Sequence, residues 1–254
     1  MTKVRSETGP RLNSRPKTVA FANSKGGVGK STLALLMGLG LATRHRDASV
    51  NLIDLDPQAT SSDSLRRFCD SRFSVVSDSR NYASGSPNNE NIISHIHSQQ
   101  SRRFKKRFVV IDSPAGIEPS KSSFLFHCDV LLIPTSVSDA DIFATRRYVG
   151  KLHHLFKSHD NRQTFPPPAL IILPNLVDSR DEFNELRFAL QSERAYLGKP
   201  LYYSPAFRRA FREQRNDDNI RTIFKQAQPY TLWLTSLLTQ SHRLEKRPKE
   251  LFQL

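Results

Sequence analysis

A chain of 254 residues, 37% hydrophobic and 24% charged, is long enough for one α/β domain with a sizeable core. It has no run of about 18 apolar residues, which argues against a spanning helix, and its two cysteines, Cys69 and Cys128, form neither a CxxC pair nor a disulfide framework. Lys and Arg number 38 against 24 Asp and Glu, and this net charge of +14 favours a polyanionic partner, either nucleic acid or an anionic membrane surface.

In chain order, residues 1–16 are polar, basic and broken by Gly9, Pro10 and Pro16, and they read as a disordered arm without a secretory h-region. Order is expected from Lys17 onward, over 17–254. Thr18–Ala22 is a buried strand, and a glycine-rich turn leads from it into a largely apolar helix, Ser31–Arg44. Further apolar strands follow at Ser49–Leu55, Phe108–Asp112, Val130–Pro134 and Ala169–Leu173, with a short sixth at Pro200–Tyr203. Helical patterns fall between them at 60–70, 91–100, 118–127, 138–157 and 179–192, and the tail after Ile220 reads as two helices, the last over 230–246. Near-continuous apolar strands alternating with helices predict a single α/β domain: a mostly parallel twisted sheet with helices on both faces. The loops at Gly85–Asn89 and Asp160–Pro168 read as surface excursions, and the basic run from Arg102 to Arg107 as a solvated turn.

Chemistry concentrates first at Asn23-Ser24-Lys25-Gly26-Gly27-Val28-Gly29-Lys30-Ser31-Thr32, between a strand and a helix. Gly26, Gly27 and Gly29 let the backbone turn so that N–H groups, including those of Val28 through Thr32, face phosphate oxygens, and the helix N-terminus adds its positive end. Lys30 is spaced to reach the β- and γ-phosphates of a nucleotide, and Ser31 to place its hydroxyl on Mg²⁺. Two carboxylate motifs follow at strand ends, Asp54-Leu-Asp56-Pro57-Gln58 and Phe108-Val-Val-Ile-Asp112-Ser-Pro-Ala-Gly116. Strand ends are where open α/β sheets bind ligands.

A plain phosphate loop has one lysine, whereas KGGVGKST has two. In this the chain resembles the deviant Walker A ATPases, the family of ParA, MinD and nitrogenase iron protein. The resemblance extends over nearly all of the chain after Lys17 and implies an ATP-sandwich homodimer, with Lys25 as the signature lysine that crosses to the partner's nucleotide. It further implies that Asp56 orients the attacking water near Mg²⁺, with Asp54 in support, and that Asp112 holds Mg²⁺ through water. Asn175 and Pro205 match the family's adenine-side positions. The DSPAGIE stretch is closer to MinD than to most ParA proteins, which read D-[ST]-P-P there.

No winged-helix domain precedes the loop, so the likeness is to small ParA proteins. These bind double-stranded DNA non-specifically as ATP dimers and are released when a ParB-like adaptor stimulates hydrolysis, which positions a plasmid, chromosome or other cargo over the nucleoid. A cytoplasmic, nucleoid-associated location is implied. Arg208, Arg209, Arg212 and Arg215 form a candidate DNA surface, joined by Arg180. The spacing puts Arg208, Arg212 and Arg215 on one helix face for phosphate contact without base readout. Two alternatives stand beside this reading. One is a MinD-like membrane-surface ATPase, using Leu232–Leu238 and the cations after it, although the apolar stretch is expected to pack on the core. The other is a nucleotide-gated scaffold with little hydrolysis. His95, His97, His153 and His154 lack metal-ligand spacing and read as surface residues.

Overall fold

The computed structural model describes residues 15–66, 73–77, 87–98, 104, 106–158, 166–204, 222, 224–240 and 251–253. The arm before Arg15, together with Pro205, Arg208, Arg209, Arg212 and Arg215, lies outside the described residues. The strands are β1 (Lys17–Phe21), β2 (Ala48–Asp54), β3 (Phe73–Ser77), β4 (Lys106–Asp112), β5 (Val130–Thr135), β6 (Ala169–Val177), β7 (Tyr196–Leu197), β8 (Leu201–Tyr202) and β9 (Phe252–Gln253). The helices are α1 (Lys30–Arg44), α2 (Thr60–Arg66), α3 (Asn89–Ser98), α4 (Asp139–Ser158), α5 (Arg180–Ala189) and α6 (Gln228–Thr239).

The sheet runs β3-β2-β4-β1-β5-β6-β7-β9, and β8 also pairs with β6. Every pairing is parallel except the short antiparallel one between β7 and β9. The expected parallel sheet is therefore present. Its strands are apolar on both faces because both are covered. Alternate residues separate into two cores. Val19, Phe21, Val50, Leu52, Val110 and Leu132 pack with Leu33, Leu36, Trp233 and Leu234 of α1 and α6. Ala20, Ile53, Val109, Ile111 and Leu131 pack with Ile92, Val149, Leu152 and Leu186 of α3, α4 and α5.

Helix α1 is apolar nearly all round because it is covered twice, by the sheet beneath and by α6 above. Gly40 makes the second contact possible: a Cβ there would lie 2.5 Å from the Thr231 methyl and 2.7 Å from that of Thr235. Lys17, at the start of β1, donates to the terminal carbonyls of α6 at Leu238 (3.3 Å) and Thr239 (3.1 Å), satisfying acceptors that a helix end leaves open. The apolar side of Leu232–Leu238 is thus spent on the core, although Leu232 itself is exposed.

Three expectations change. Residues 118–127 are two short 3₁₀ turns, Pro119–Lys121 and Ser123–His127, rather than one helix. Strands β3, β7 and β9 were not anticipated; the two-residue pairs at β7 and β9 are too short to show a period of two. His97 is half-buried with Nε2 3.1 Å from His127 Nδ1, so it is not a simple surface residue.

Candidate nucleotide site

Parallel register brings the candidate carboxylates together. Phe21, the last residue of β1, is level with Asp112, the last residue of β4, and Asp112 is level with Asp54, the last residue of β2. The chain leaves β1 into the loop of residues 22–29 and re-enters helix at Lys30, so loop and carboxylates share the C-terminal edge of the sheet, where β1 lies between β4 and β5.

Each part of the loop is held. Asn23 is fully buried; its amide donates to the Pro134 carbonyl (2.8 Å) and the Thr145 hydroxyl (2.9 Å), and its Oδ1 accepts from the Lys25 N–H (3.2 Å). The Gly116 N–H donates to the Ser24 carbonyl at 2.8 Å, tying the Asp112–Gly116 turn to the same loop. Gly29, at φ 92°, starts α1 without a side-chain cap. It also passes so close to Asn175 that an added Cβ would be 2.1 Å from the amide nitrogen. Both the left-handed φ and the approach demand glycine.

Lys30 is buried and its Nζ donates to the Lys25 carbonyl at 2.7 Å, spanning the loop. Burial lowers its pKa, while Asp112 and Asp56 oppose that shift. Asp112 is fully buried, and its pKa is raised to about 7, first by desolvation and then by the neighbouring Asp54; the Ser31 and Ser61 hydroxyls and Lys30 moderate the rise. Even so, among the described residues neither Asp112 oxygen has a partner in hydrogen-bonding geometry. Asp54, by contrast, is fully engaged: Oδ2 accepts from the Ser61 hydroxyl and the Ser62 N–H, both at 2.9 Å, and Oδ1 accepts from the Asp56 N–H at 3.0 Å. It shapes the segment carrying Asp56. The half-buried Asp56 accepts from the Gln58 N–H at 2.9 Å, an Asx-type turn.

Lys25 is exposed at the rim, with Nζ 3.6 Å from Asp141 Oδ1 on α4; Asp141 in turn accepts from the Ser136 hydroxyl. Gly26 and Gly27 are exposed, Val28 is buried, and Ser31 and Thr32 are half-buried. Asn175 reaches the loop but turns its amide to the Val28 carbonyl, at 2.8 Å. Arg180 is exposed at the first turn of α5, behind Ser179, whose hydroxyl accepts from the Glu182 N–H. The structure thus gathers Lys25, Lys30, Ser31, Asp54, Asp56, Asp112 and Asn175 and leaves Arg180 on the surface nearby in sequence. Asn23, Thr145 and Asp141 were not singled out by the motifs. Asn23 alone left a signal, a polar residue directly after an apolar strand.

A buried carboxylate with both oxygens unbonded is costly unless a cation or donor completes it. Its neighbours are hydroxyl and carboxylate oxygens, a hard donor set that suits Mg²⁺. The residues present therefore fit such an ion. The loop itself offers backbone N–H groups and a buried ammonium to an anion.

Comparison with known proteins agrees with this geometry. The family model described as the CobQ/CobB/MinD/ParA nucleotide binding domain matches residues 19–216. Maintenance of carboxysome distribution protein A of Halothiobacillus neapolitanus is 27% identical over 194 residues, covering 76% of this chain and 80% of that protein. Among solved structures, the ATP complex of a Cyanothece McdA variant aligns with TM-score 0.61 at 16% identity, covering 91% of this chain and 97% of that one. The ParA of pNOB8, bound to nonspecific DNA, aligns with TM-score 0.55 at 15% identity, covering 92% and 100%.

Proposed function

The chain belongs to the CobQ/CobB/MinD/ParA family of nucleotide-binding domains, and from that premise we propose that it is a ParA-type positioning ATPase. In this reading it closes as a dimer around ATP and Mg²⁺, holds DNA without sequence preference in that state, and hydrolyses ATP when a ParB-like adaptor engages it. The cargo is a plasmid, a chromosome or, as the likeness to a carboxysome-distribution protein suggests, a protein body.

The observation that carries the reading is the convergence of the buried Lys30 and the unbonded Asp112 at the mouth of the loop. Lys30 exchanges the Lys25 carbonyl for β- and γ-phosphate oxygens. Val28 through Thr32 present N–H groups to the phosphates. Ser31 and Asp112 would hold the ion, which would neutralise phosphate charge when bound. Asp56 orients water. Lys25, released from Asp141, supplies a positive charge across the dimer to the partner's nucleotide, much as an arginine finger does. Asn175 and Pro205 border the base.

Titration calorimetry with ATP and Mg²⁺ tests this. Lys30→Ala should abolish binding, whereas Asp56→Ala should retain ATP, lose phosphate release and accumulate as a dimer. Near-native ATP affinity of Lys30→Ala, or unaltered turnover by Asp56→Ala, would remove these assignments.

A further inference from the structure

Helix α4 lines the nucleotide site at its N-terminus through Asp141 and carries an unrelated feature on its outer face. There, Arg147, Gly150, Lys151 and His154 line a groove of about 570 Å³ closed by Glu118 and Ser120. Steps of three and four residues place Phe143, Arg147, Lys151 and His154 on one helix face. Phe143, at the head of that face, is 66% exposed.

Two observations separate this face from an ordinary solvated surface. First, the basic residues just before two of these are tied down: Arg146 Nε bonds Glu193 at 2.9 Å, and His153 meets the Arg194 carbonyl at 2.8 Å. Arg147 and His154 have no such partner among the described residues, and Lys151 has only the exposed Glu118 carboxylate, at 2.9 and 3.0 Å. Second, Gly150 lies inside a 20-residue helix, where glycine costs about 1 kcal/mol relative to alanine. Packing does not require it, since an added Cβ would meet nothing within 4 Å. With no side chain at Gly150, this part of the groove wall is bare backbone.

We propose that this face of α4 is a docking surface for an acidic amphipathic segment of a partner protein. Carboxylates of the segment pair with Arg147 and Lys151, displacing Glu118 or sharing its lysine, while an apolar side chain seats beside Phe143 and the bare Gly150 backbone. Exposed aromatics and arginines are the side chains that anchor protein interfaces. A DNA duplex fits less well, because the site is concave and carries a carboxylate. The inference gives a chemistry to the adaptor proposed above and rests on that part of the reading alone. Its main readout, peptide binding, needs neither ATP nor DNA, so its failure is distinct from failure of the nucleotide assignment.

The probe is a fluorescein-labelled peptide of Glu and Leu in helical i, i+3, i+4 spacing, read by anisotropy with the full chain. The comparison peptide carries Gln for every Glu. Saturable binding should be about tenfold or more tighter for the Glu peptide and should be lost in Arg147→Glu with Lys151→Glu and in Gly150→Trp. Gly150→Ala, which should raise the melting temperature by relieving the helix, gives a folded control with weakened binding. Equal affinity for the two peptides, binding that survives these variants, or loss of DNA binding instead of peptide binding in them would overturn the proposal.

Discussion

Asp112 is a carboxyl group whose proton is unusually well kept. In water a carboxylate of this type titrates near 3.8, but burial and the level neighbour Asp54 lift this one to about 7. Between those values the unfolded chain has released the proton and the folded protein still holds it. The folded state therefore binds more protons, and stability falls as pH rises across that window, by up to about 1.4 kcal/mol per pH unit. Below about pH 4 both states are protonated, and the contribution no longer changes with pH. In protein freed of divalent ions with EDTA, thermal melts between about pH 4 and about pH 8 should show this decline. Asp112→Asn should flatten it and melt higher than the unsubstituted protein at neutral pH. An unchanged slope would place the titration elsewhere. Adding Mg²⁺ with nucleotide should restore the lost stability at neutral pH only when Asp112 is present.

At the scale of the elements, the contact between α1 and α6 is decided by one absent methyl. Alanine at position 40 would favour the α1 helix by about 1 kcal/mol. It would also drive Cβ to within 3 Å of two threonine methyls. Overpacking of this kind costs about 1–3 kcal/mol, so Gly40→Ala should lower the melting temperature by several degrees despite its better propensity. Thr231→Ala introduced alongside it should recover part of the loss, because it removes the nearest methyl and a hydroxyl that is buried without a partner among the described residues. A Gly40→Ala variant that melts higher, by circular dichroism, would show that α6 shifts freely.

The same scale explains what the sequence disclosed. The long buried strands and helices announced themselves by composition and period, and Lys30, Asp56 and Asp112 by motif order. The site's frame was less visible. Asn23 and Thr145 meet across 122 positions, and Lys25 and Asp141 are likewise brought together only by the β1–β5 pairing. No local pattern encodes such encounters. Asn175 stood out as a candidate in the sequence, but its bond to the Val28 carbonyl did not. That bond sits beside an irregular register between Asn175 and Val177, with Leu176 at φ 59° between them.

For the whole molecule, the dominant property is a charge of +14 on 254 residues. If the ATP-bound dimer presents two copies of a basic surface to one duplex, phosphate contacts add and affinity falls steeply with salt. The log–log slope should be about −0.9 per contact. Mobility shifts on two unrelated duplexes should show binding with ATP and little with ADP. Replacing Arg208 and Arg212 with Glu should weaken both duplexes alike and shallow the slope. Nucleotide-independent binding would dissociate the DNA contact from the switch. Lys17 meets the end of α6 across 221 positions, and α6 covers an α1 helix that is made long before it in chain order. At roughly 5–20 residues per second on the ribosome, about 10–40 s pass before that cover emerges. Throughout that interval the nascent chain carries a greasy flank with no lid of its own, a natural client for a holding chaperone and the stretch where a stalled or truncated product would first aggregate.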